Sequence, residues 1–254
     1  LGTLITLIIA LFTVGITDAI QVPGMDFIDV ANATNIPLWV MSVLIFLAVG
    51  IPFFFVFYLG LKILVNNLKS IGNIAKFTLL GLWLIAIIGL IITGIKQATE
   101  HALDGKSASK QELYIGQQDT LKLSMVGFDR YSVYSYGNNG NFNIIEDADG
   151  RSIVSSDIRL SLRSTKDSLA SIVIEKEATG SNYTLAGERA ENIVYNYDFT
   201  DKHLKLDAYF TTDVANKFSE QKVRITLDLP EGMVLYPDKN VDKFKRNSKG
   251  RDNL

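Results

Sequence analysis

The sequence predicts a membrane protein of two parts: an α-helical segment with three transmembrane helices, and an all-β domain outside the cytoplasm. Three observations predict this fold class. Ionisable residues are sparse before Gln97, apolar and polar residues alternate after Glu112, and a lysine-bearing connector separates two long apolar runs. The ionisable residues of the first part are Asp18, Asp26, Asp29, Lys62, Lys69, Lys76 and Lys96.

The membrane segment is predicted over residues 1–97, with helices at Leu1–Ile20, Pro37–Leu64 and Ala75–Lys96. A helix needs about 20 apolar residues to cross roughly 30 Å of hydrocarbon, and within it every backbone polar group is satisfied. Few polar side chains lie well inside these runs, and those that do are hydroxyls. This pattern disfavours a conducting pore or a proton relay, because both need polar residues inside the membrane.

The second predicted helix contains a proline and begins near a tryptophan. Its length corresponds to about 42 Å, which exceeds one straight crossing. Pro52 is the predicted helix kink, because a proline inside a helix removes one hydrogen bond and clashes with the preceding turn. Trp39 lies near the helix start and is the predicted anchor at the membrane interface.

The connector between the second and third helices predicts the orientation in the membrane. Lys62, Lys69 and Lys76 lie in it or beside it, and cytoplasmic connections collect cations because cations are costly to move across a bilayer. The connector is therefore expected inside and everything after Ile95 outside. The chain opens at Leu1 without Met or a basic leader, so we expect a longer protein with a cytoplasmic part before Leu1.

Three segments are predicted after the membrane part. Residues 98–111 are expected to form a juxtamembrane helical linker that ends near Gly105, a usual helix stop. Residues 112–238 are expected to form a periplasmic β-domain, and the basic residues 239–254 a mobile tail. These boundaries give one folded domain between a linker and a tail.

Six segments of the outer part alternate apolar and polar residues and predict strands with one buried face. They are TLKLSMV, DIRLSLRST, SIVIEKE, IVYNYDF, HLKLDAYF and KVRITLDL. Only SNYTLAGERAEN predicts a helix among them. Repeated short strands with little helix indicate a sandwich, a barrel or a solenoid, and their spacing leaves all three open.

The sequence offers no residues for catalysis, a cofactor or a metal. Cysteine is absent, which excludes disulfides and thiol chemistry and favours a bacterial envelope for an outside domain. His101 and His203 have no base or ligand nearby in sequence and are expected on the surface. The acidic residues Glu146, Asp147 and Asp149 lack the ordered series of a calcium loop and predict a solvated turn. We therefore predict a protein that is not an enzyme and binds no cofactor.

The string IPFFFVFYLGLKILVNNLKSIGNIAKFTLLGLW, followed by IKQATEHALDG, resembles the carboxy-terminal half of bacterial inner-membrane proteins with a PspC (phage shock protein C) domain. The likeness continues through STKDSLASIVIEKEATGSNY and VRITLDLPEGMVLY. The resemblance implies a periplasmic toast-rack-like β-domain, which chooses a β-solenoid over the alternative β-sandwich. The PspC module itself is absent from these residues.

The favoured function is a PspC-like stress-response or regulatory component of the bacterial inner membrane. It would couple the periplasmic β-domain to a cytoplasmic module. The alternative is an accessory or scaffold subunit of a larger inner-membrane complex, and a third class is an enzyme acting on envelope polymers, which would need a carboxylate pair brought together by folding. The expected partners are the lipid bilayer and either other inner-membrane proteins or further copies of the chain, but no nucleic acid.

Overall fold

The computed structural model describes residues 30–34, 36–65, 71–116, 118–127, 142–147 and 150–245. The chain divides into two compact units between Ala98 and Thr99. The long helices of the first unit are α1 at Leu38–Leu64 and α2 at Asn73–Thr99, of which only Thr99 belongs to the second unit. The second unit is rich in β-strands.

Both α1 and α2 are long and apolar enough to cross a membrane. They confirm that the second and third predicted runs form apolar helices of membrane length. The first predicted helix, Leu1–Ile20, lies outside the described residues. The described part therefore has two helices of membrane length where the sequence predicts three for the whole segment.

The proline of α1 exposes a backbone carbonyl that α2 satisfies. In a regular helix the Ala48 carbonyl oxygen would accept a hydrogen bond from the N–H of residue 52, and Pro52 has no N–H. Trp83 Nε1 of α2 donates to this oxygen at 3.0 Å. The indole thus replaces the missing donor and joins the two helices. The size of a kink at Pro52 remains a prediction.

Small residues allow close packing near this hydrogen bond. Ala86 of α2 is completely buried. A Cβ atom added at Gly89 would lie 3.0 Å from Cδ2 of Leu44, so the glycine leaves space for that leucine. Small side chains at a helix contact let two membrane helices approach closely.

The described residues of the second unit form eleven strands and one α-helix that lies wholly within it. The strands are β1 Leu103–Gly116, β2 Thr120–Val126, β3 Phe142–Asp147, β4 Gly150–Ser155, β5 Ile158–Thr165, β6 Leu169–Gly180, β7 Tyr197–Thr200, β8 His203–Asp207, β9 Phe210–Asp213, β10 Lys222–Pro230 and β11 Val234–Pro237. The helix is α3 at Tyr183–Glu191, where the sequence predicts one.

The strands form three sheets. The first, sheet A, has the order β1-β6-β10-β5, with β10 antiparallel to β6 and parallel to β5. Sheet B has the order β11-β2-β8-β7, in which β2 is parallel to both β11 and β8, and β7 is antiparallel to β8. The third sheet joins β3, β4 and β9. Parallel neighbours that are distant in sequence require long connections, so the sheets are assembled from non-local contacts.

Sheets A and B share one hydrophobic cluster. Alternate residues of β6 and β10, such as Ile172 and Ile225, meet residues of β2 and β8, such as Leu123 and Leu206, in this cluster. The period of two in the sequence reflects this single buried face on each strand. The all-β domain is confirmed. The β-solenoid is not, since the described strands form two four-stranded sheets around a common core.

The segment after β11 joins the two sheets. Asn240 brackets the backbone of Met125 on β2, since its Nδ2 donates to the Met125 carbonyl at 2.7 Å and its Oδ1 accepts from the Met125 N–H at 3.4 Å. Val241 is fully buried in the shared cluster. The Phe244 carbonyl then accepts a hydrogen bond from the N–H of Leu160 on β5, at 2.9 Å.

Two predictions about the boundaries of this unit are wrong. The predicted helical linker over residues 98–111 is helical only to Thr99, and β1 begins at Leu103, because the backbone of this segment pairs with β6. The predicted mobile tail over residues 239–254 is packed as far as Lys245, because Val241 enters the core. Residues 246–254 lie outside the described part.

We expect the Pro52 and Trp83 substitutions to be energetically coupled. Trp83→Phe should destabilise the helix pair by about 1–3 kcal/mol, since it leaves the Ala48 carbonyl without a donor in a setting that lacks water. In the Pro52→Ala background residue 52 supplies its own N–H, so the same Trp83→Phe change should cost much less. Sodium dodecyl sulfate titration of the detergent-solubilised chain, followed by helical circular dichroism, measures both costs. Equal costs in the two backgrounds would contradict the assignment.

Candidate functional site

The residues that directly follow α2 are bound into the β-domain. The helix ends at Thr99, and the next residue, Glu100, pairs with Arg189 of α3 through Oε2 and Nη2 at 2.9 Å. Arg189 Nη1 also donates to the backbone carbonyl of Thr179 at 3.0 Å. One guanidinium therefore holds the start of the domain, the end of β6 and α3 together.

This ion pair is largely removed from solvent. The Arg189 side chain is 8% exposed and that of Glu100 is 19% exposed. A buried guanidinium is tolerated only when its donors are matched, and removal of one partner leaves an uncompensated charge. The pair therefore makes the position of Glu100 depend on an intact α3.

Two glycines place α3 against the strands. The helix begins at Asn182, whose Oδ1 accepts the N–H of Leu185 at 2.8 Å and caps the first turn. A Cβ atom at Gly105 of β1 would stand 2.1 Å from the carbonyl carbon of Ala186, and one at Gly180 of β6 would stand 2.7 Å from the Ala186 nitrogen. Helix backbone thus lies directly on strand backbone, which only glycine permits.

His101 extends the same cluster. Its Nδ1 lies 3.2 Å from Thr179 Oγ1 and 4.0 Å from Glu220 Oε1. Glu220 has φ of +50°, a backbone conformation that non-glycine residues seldom adopt. We call Gly105, Gly180, Glu100, His101, Thr179 and Arg189 together the junction. His101 is half-buried there, so the expectation of a plain surface histidine is wrong for it.

A second charged cluster lies on the outer face of sheet A. Glu177 of β6 is flanked by Lys106 of β1 and Lys222 of β10, which lie directly opposite it in the register. Its carboxylate oxygens lie 2.7 Å from Lys106 Nζ, 3.4 Å from Lys222 Nζ and 3.0 Å from an Arg224 nitrogen. The Lys106 contact is an ion pair without hydrogen-bond geometry. The side chain of Glu177 is 4% exposed.

The cations keep Glu177 ionised. Burial alone would raise the pKa of its carboxyl, but the contact with Lys106 and the charges of Arg224 and Lys106 outweigh burial and lower the pKa from 4.5 to about 2. The same contacts raise the pKa of Lys106. The carboxylate thus links three strands electrostatically.

The other sequence-predicted positions are not brought together. His203 Nε2 lies 2.8 Å from Ser124 Oγ on sheet B, and both residues are largely covered, so His203 also departs from a plain surface position. Glu146 lies on β3, and Asp149 lies outside the described residues. Across the described ranges no group of three or more His, Asp or Glu side chains is placed to hold a metal ion.

The positions predicted to set the topology lie at helix ends. Lys62 is in the last turn of α1, and Lys76 follows the start of α2 at Asn73, whereas Lys69 lies outside the described residues. Trp39 is the second residue of α1, with 49% of its surface exposed. Their roles in orientation and anchoring remain predictions.

Comparison with family models covers both units. Residues 1–101 match a model described as the PspC transmembrane region, which includes α1 and α2 and the predicted first helix. Residues 144–254 match a model described as the toast rack found in some PspC proteins. The chain therefore belongs to the PspC membrane proteins that carry a toast-rack domain. Searches of curated proteins and of solved structures return no match.

The family assignment confirms the resemblance on which the sequence interpretation relied. A PspC transmembrane region places the apolar helices of this chain in a lipid bilayer. The PspC and toast-rack families are regulatory or membrane families rather than families of enzymes. The junction, which lies directly after α2, is the candidate functional site of this PspC chain.

The sequence interpretation missed the junction. It placed Gly105 at the end of a helix, whereas the glycine is in β1 and accommodates α3. A signal was nevertheless present in the predicted helix. Ala186, Arg189 and Ala190 recur at spacings of three and four, so a lone arginine shares a face with small residues, and that face is buried.

Alanine at Gly105 should disrupt the junction of the toast-rack domain. The new methyl group would collide with α3 backbone, which cannot rotate away, so we expect Gly105→Ala to cost about 3 kcal/mol or more. Gly187→Ala is the matched control, because a Cβ there has nothing within 4 Å. In mid-helix this control should be neutral or stabilising by about 0.5–1 kcal/mol. Hydrogen exchange of the α3 amides in the solubilised chain measures both effects.

Acidification should weaken the outer face of sheet A through Glu177. The pKa of this carboxyl is lower in the folded than in the unfolded chain, so its stabilising contribution is present above pH 4.5 and is lost as the pH falls toward about 2. Amides of β6 and β10 should lose protection from hydrogen exchange across that window. Glu177→Gln should exchange faster at pH 6 but show a shallower pH dependence. A parallel pH dependence in both proteins would contradict the assignment.

Proposed function

We propose that this PspC-family chain is a non-enzymatic stress-response or regulatory component of the bacterial inner membrane. It couples a periplasmic toast-rack domain to a cytoplasmic module. The observation that carries the proposal is the junction, where the residue after a membrane-length helix is ion-paired into the folded domain. A change in the domain at α3 acts on Glu100, which adjoins the last residue of α2.

The orientation in this proposal follows from the lysines. Lys62 and Lys76 lie at the ends of α1 and α2 that the short connector joins. The positive-inside tendency assigns that connector to the cytoplasm, and α2 then carries the chain outward. The toast-rack domain would thus meet conditions in the periplasm, on the same side of the membrane as the Leu38 end of α1.

The second candidate is an accessory or scaffold subunit of a larger inner-membrane complex. The outer edge of β1 favours it, since no described strand pairs there and an unpaired strand edge is a surface on which another protein can dock. Mild-detergent purification with mass spectrometry separates the candidates. A scaffold is recovered with partner proteins, and recovery only as a monomer counts against it.

The coupling proposal is tested by a flexible insertion that separates the junction from α2 and leaves the contacts within the junction in place. A Gly-Ser-Gly-Ser insertion between Thr99 and Glu100 leaves the Arg189 ion pair intact but removes its connection to α2. The same insertion between Asp167 and Ser168, in the turn before β6, is the matched control. We expect the first insertion to abolish the response of the host to membrane insults and the control to preserve it. An unchanged response with both insertions would refute coupling through the junction.

Substitution of Arg189 should show how much its ion pair contributes to the stability of the domain. Arg189→Ala leaves Glu100 as a partly buried charge and the Thr179 carbonyl without its donor, so it should destabilise the domain by about 3–5 kcal/mol. Lys205→Ala removes an exposed pair with Asp198 at 3.7 Å and should cost less than about 1 kcal/mol. Thermal unfolding of the solubilised chain, monitored by hydrogen exchange, measures the difference in stability between the two variants.

A further inference from the structure

Among the residues that the structure describes, one of the two edges of sheet A pairs with no further strand. Its edge strands are β1 and β5. The β5 edge is covered by the chain itself, because Leu160 donates to the Phe244 carbonyl and forms a bridge with Lys245. In the described part of the chain β1 pairs with β6 alone. A strand edge of this length presents unpaired N–H and C=O groups to any second strand.

The middle of β1 is exposed to solvent, although its inner edge pairs with β6 and Gln111 Oε1 accepts a hydrogen bond from the Tyr197 hydroxyl. Residues 108–112 are all exposed. In a layered domain every second residue of a strand is normally buried, because alternate side chains point to opposite faces of the sheet. Leu113 and Ile115 resume burial immediately afterwards. Pairing with β6 is regular up to Leu113 and becomes irregular between Leu113 and Gly116. Residues 108–112 are therefore a regular strand segment beside which a partner strand can pair.

This stretch carries two opposite charges that are not otherwise used. Lys110 and Glu112 are two residues apart and so lie on the same face of β1. Neither forms an ion pair with a residue that the structure describes, whereas Lys106 on the same face is engaged by Glu175 and Glu177. A surface designed only to repel other strands would carry charges of one sign.

We propose that the open edge of β1 binds β1 of a second copy of this chain, antiparallel and centred on Gln111. In this register Lys110 of each copy lies opposite Glu112 of the partner subunit, which forms two cross-strand ion pairs. A pair centred on Lys110 would set like charges against each other. A pair centred on Ser109 would place Lys110 opposite Ala108 of the partner subunit and leave its charge unmatched.

The arrangement has the self-complementarity that a two-fold dimer requires. In a two-fold interface the same surface serves both copies, and a strand with adjacent Lys and Glu satisfies this when it pairs with itself in reverse. Pairing through this edge would extend sheet A across two copies. The inference does not depend on coupling through the junction, since it concerns association and not the stress response.

Single cysteines test the register directly, because the natural chain has no cysteine. Gln111→Cys places the two thiols on directly opposite residues, at a separation that a disulfide spans. Ser109→Cys places each thiol opposite residue 113 of the partner subunit, and Thr200→Cys on β7 provides an exposed strand position on another sheet. Full-length chains in membrane vesicles are treated with a mild oxidant, and covalent dimer is measured on non-reducing gels.

Dimer formation through Gln111→Cys alone is the expected result. Equal cross-linking through Thr200→Cys would indicate random collision and overturn the proposal. Preferential cross-linking through Ser109→Cys would overturn the register. Absence of cross-linking at all three positions would overturn the proposal that β1 pairs with a second copy.

Charge reversal provides an independent test in the Gln111→Cys background. Lys110→Glu creates two opposing Glu pairs and should reduce the rate of dimer formation about tenfold. Addition of Glu112→Lys in the same chain restores opposite charges across the interface and should restore the rate. A double variant as slow as the single one would overturn the proposed pairing, since a general effect of surface charge would not be reversed by the exchange.

Discussion

The architecture of the second unit depends on one buried guanidinium. Arg189 must have a carboxylate and a carbonyl in reach, and it finds them in Glu100 and in the end of β6. These groups are distant in sequence, so the requirement brings the start of the domain, the long strand β6 and the helix α3 to one place. The two glycines at the same place remove the side chains that would keep the helix away.

The membrane helices are also joined by a polar group that lacks a partner in its own helix, in this case an uncharged backbone carbonyl. A proline frees a carbonyl in α1, and a tryptophan of α2 supplies the donor. In both units a polar group without a local partner is satisfied by a residue from another element, and this requirement fixes how elements pack. Apolar burial brings the elements together, but it is non-directional, whereas a single matched donor specifies one arrangement.

Much of the fold was predictable from periodicity. The second and third apolar runs are helices, and the alternating segments of the outer part are strands around a common core. The prediction of a helix over residues 98–111 was wrong because QATEHALDGK has no strong alternation of apolar and polar residues. The strand there is imposed by pairing with β6 rather than by its own side chains. The tail misled for a similar reason, since Val241 is one apolar residue among charges and its burial needs the completed core.

The candidate site could not be predicted because its members meet only in three dimensions. Glu100, Thr179 and Arg189 carry no motif, and the solenoid expectation came from resemblance rather than from spacing. Cross-strand pairs such as Lys106 with Glu177 require the register, which local sequence does not provide. Composition did indicate the class of protein, because sparse charge before Gln97 and the absence of cysteine limit the available functions.

The position of β10 in sheet A has a consequence for folding during synthesis. In space β10 lies between β6 and β5, yet it follows both of them in the chain, after sheet B strands β7 and β8. While the chain is being made, β1 and β6 can already pair, but β5 has no neighbour and the apolar faces of the sheet stay open until residue 230 has emerged. The nascent domain therefore exposes apolar strand faces for longer than a domain whose neighbouring strands follow one another in sequence, and long-range pairing of this kind folds slowly.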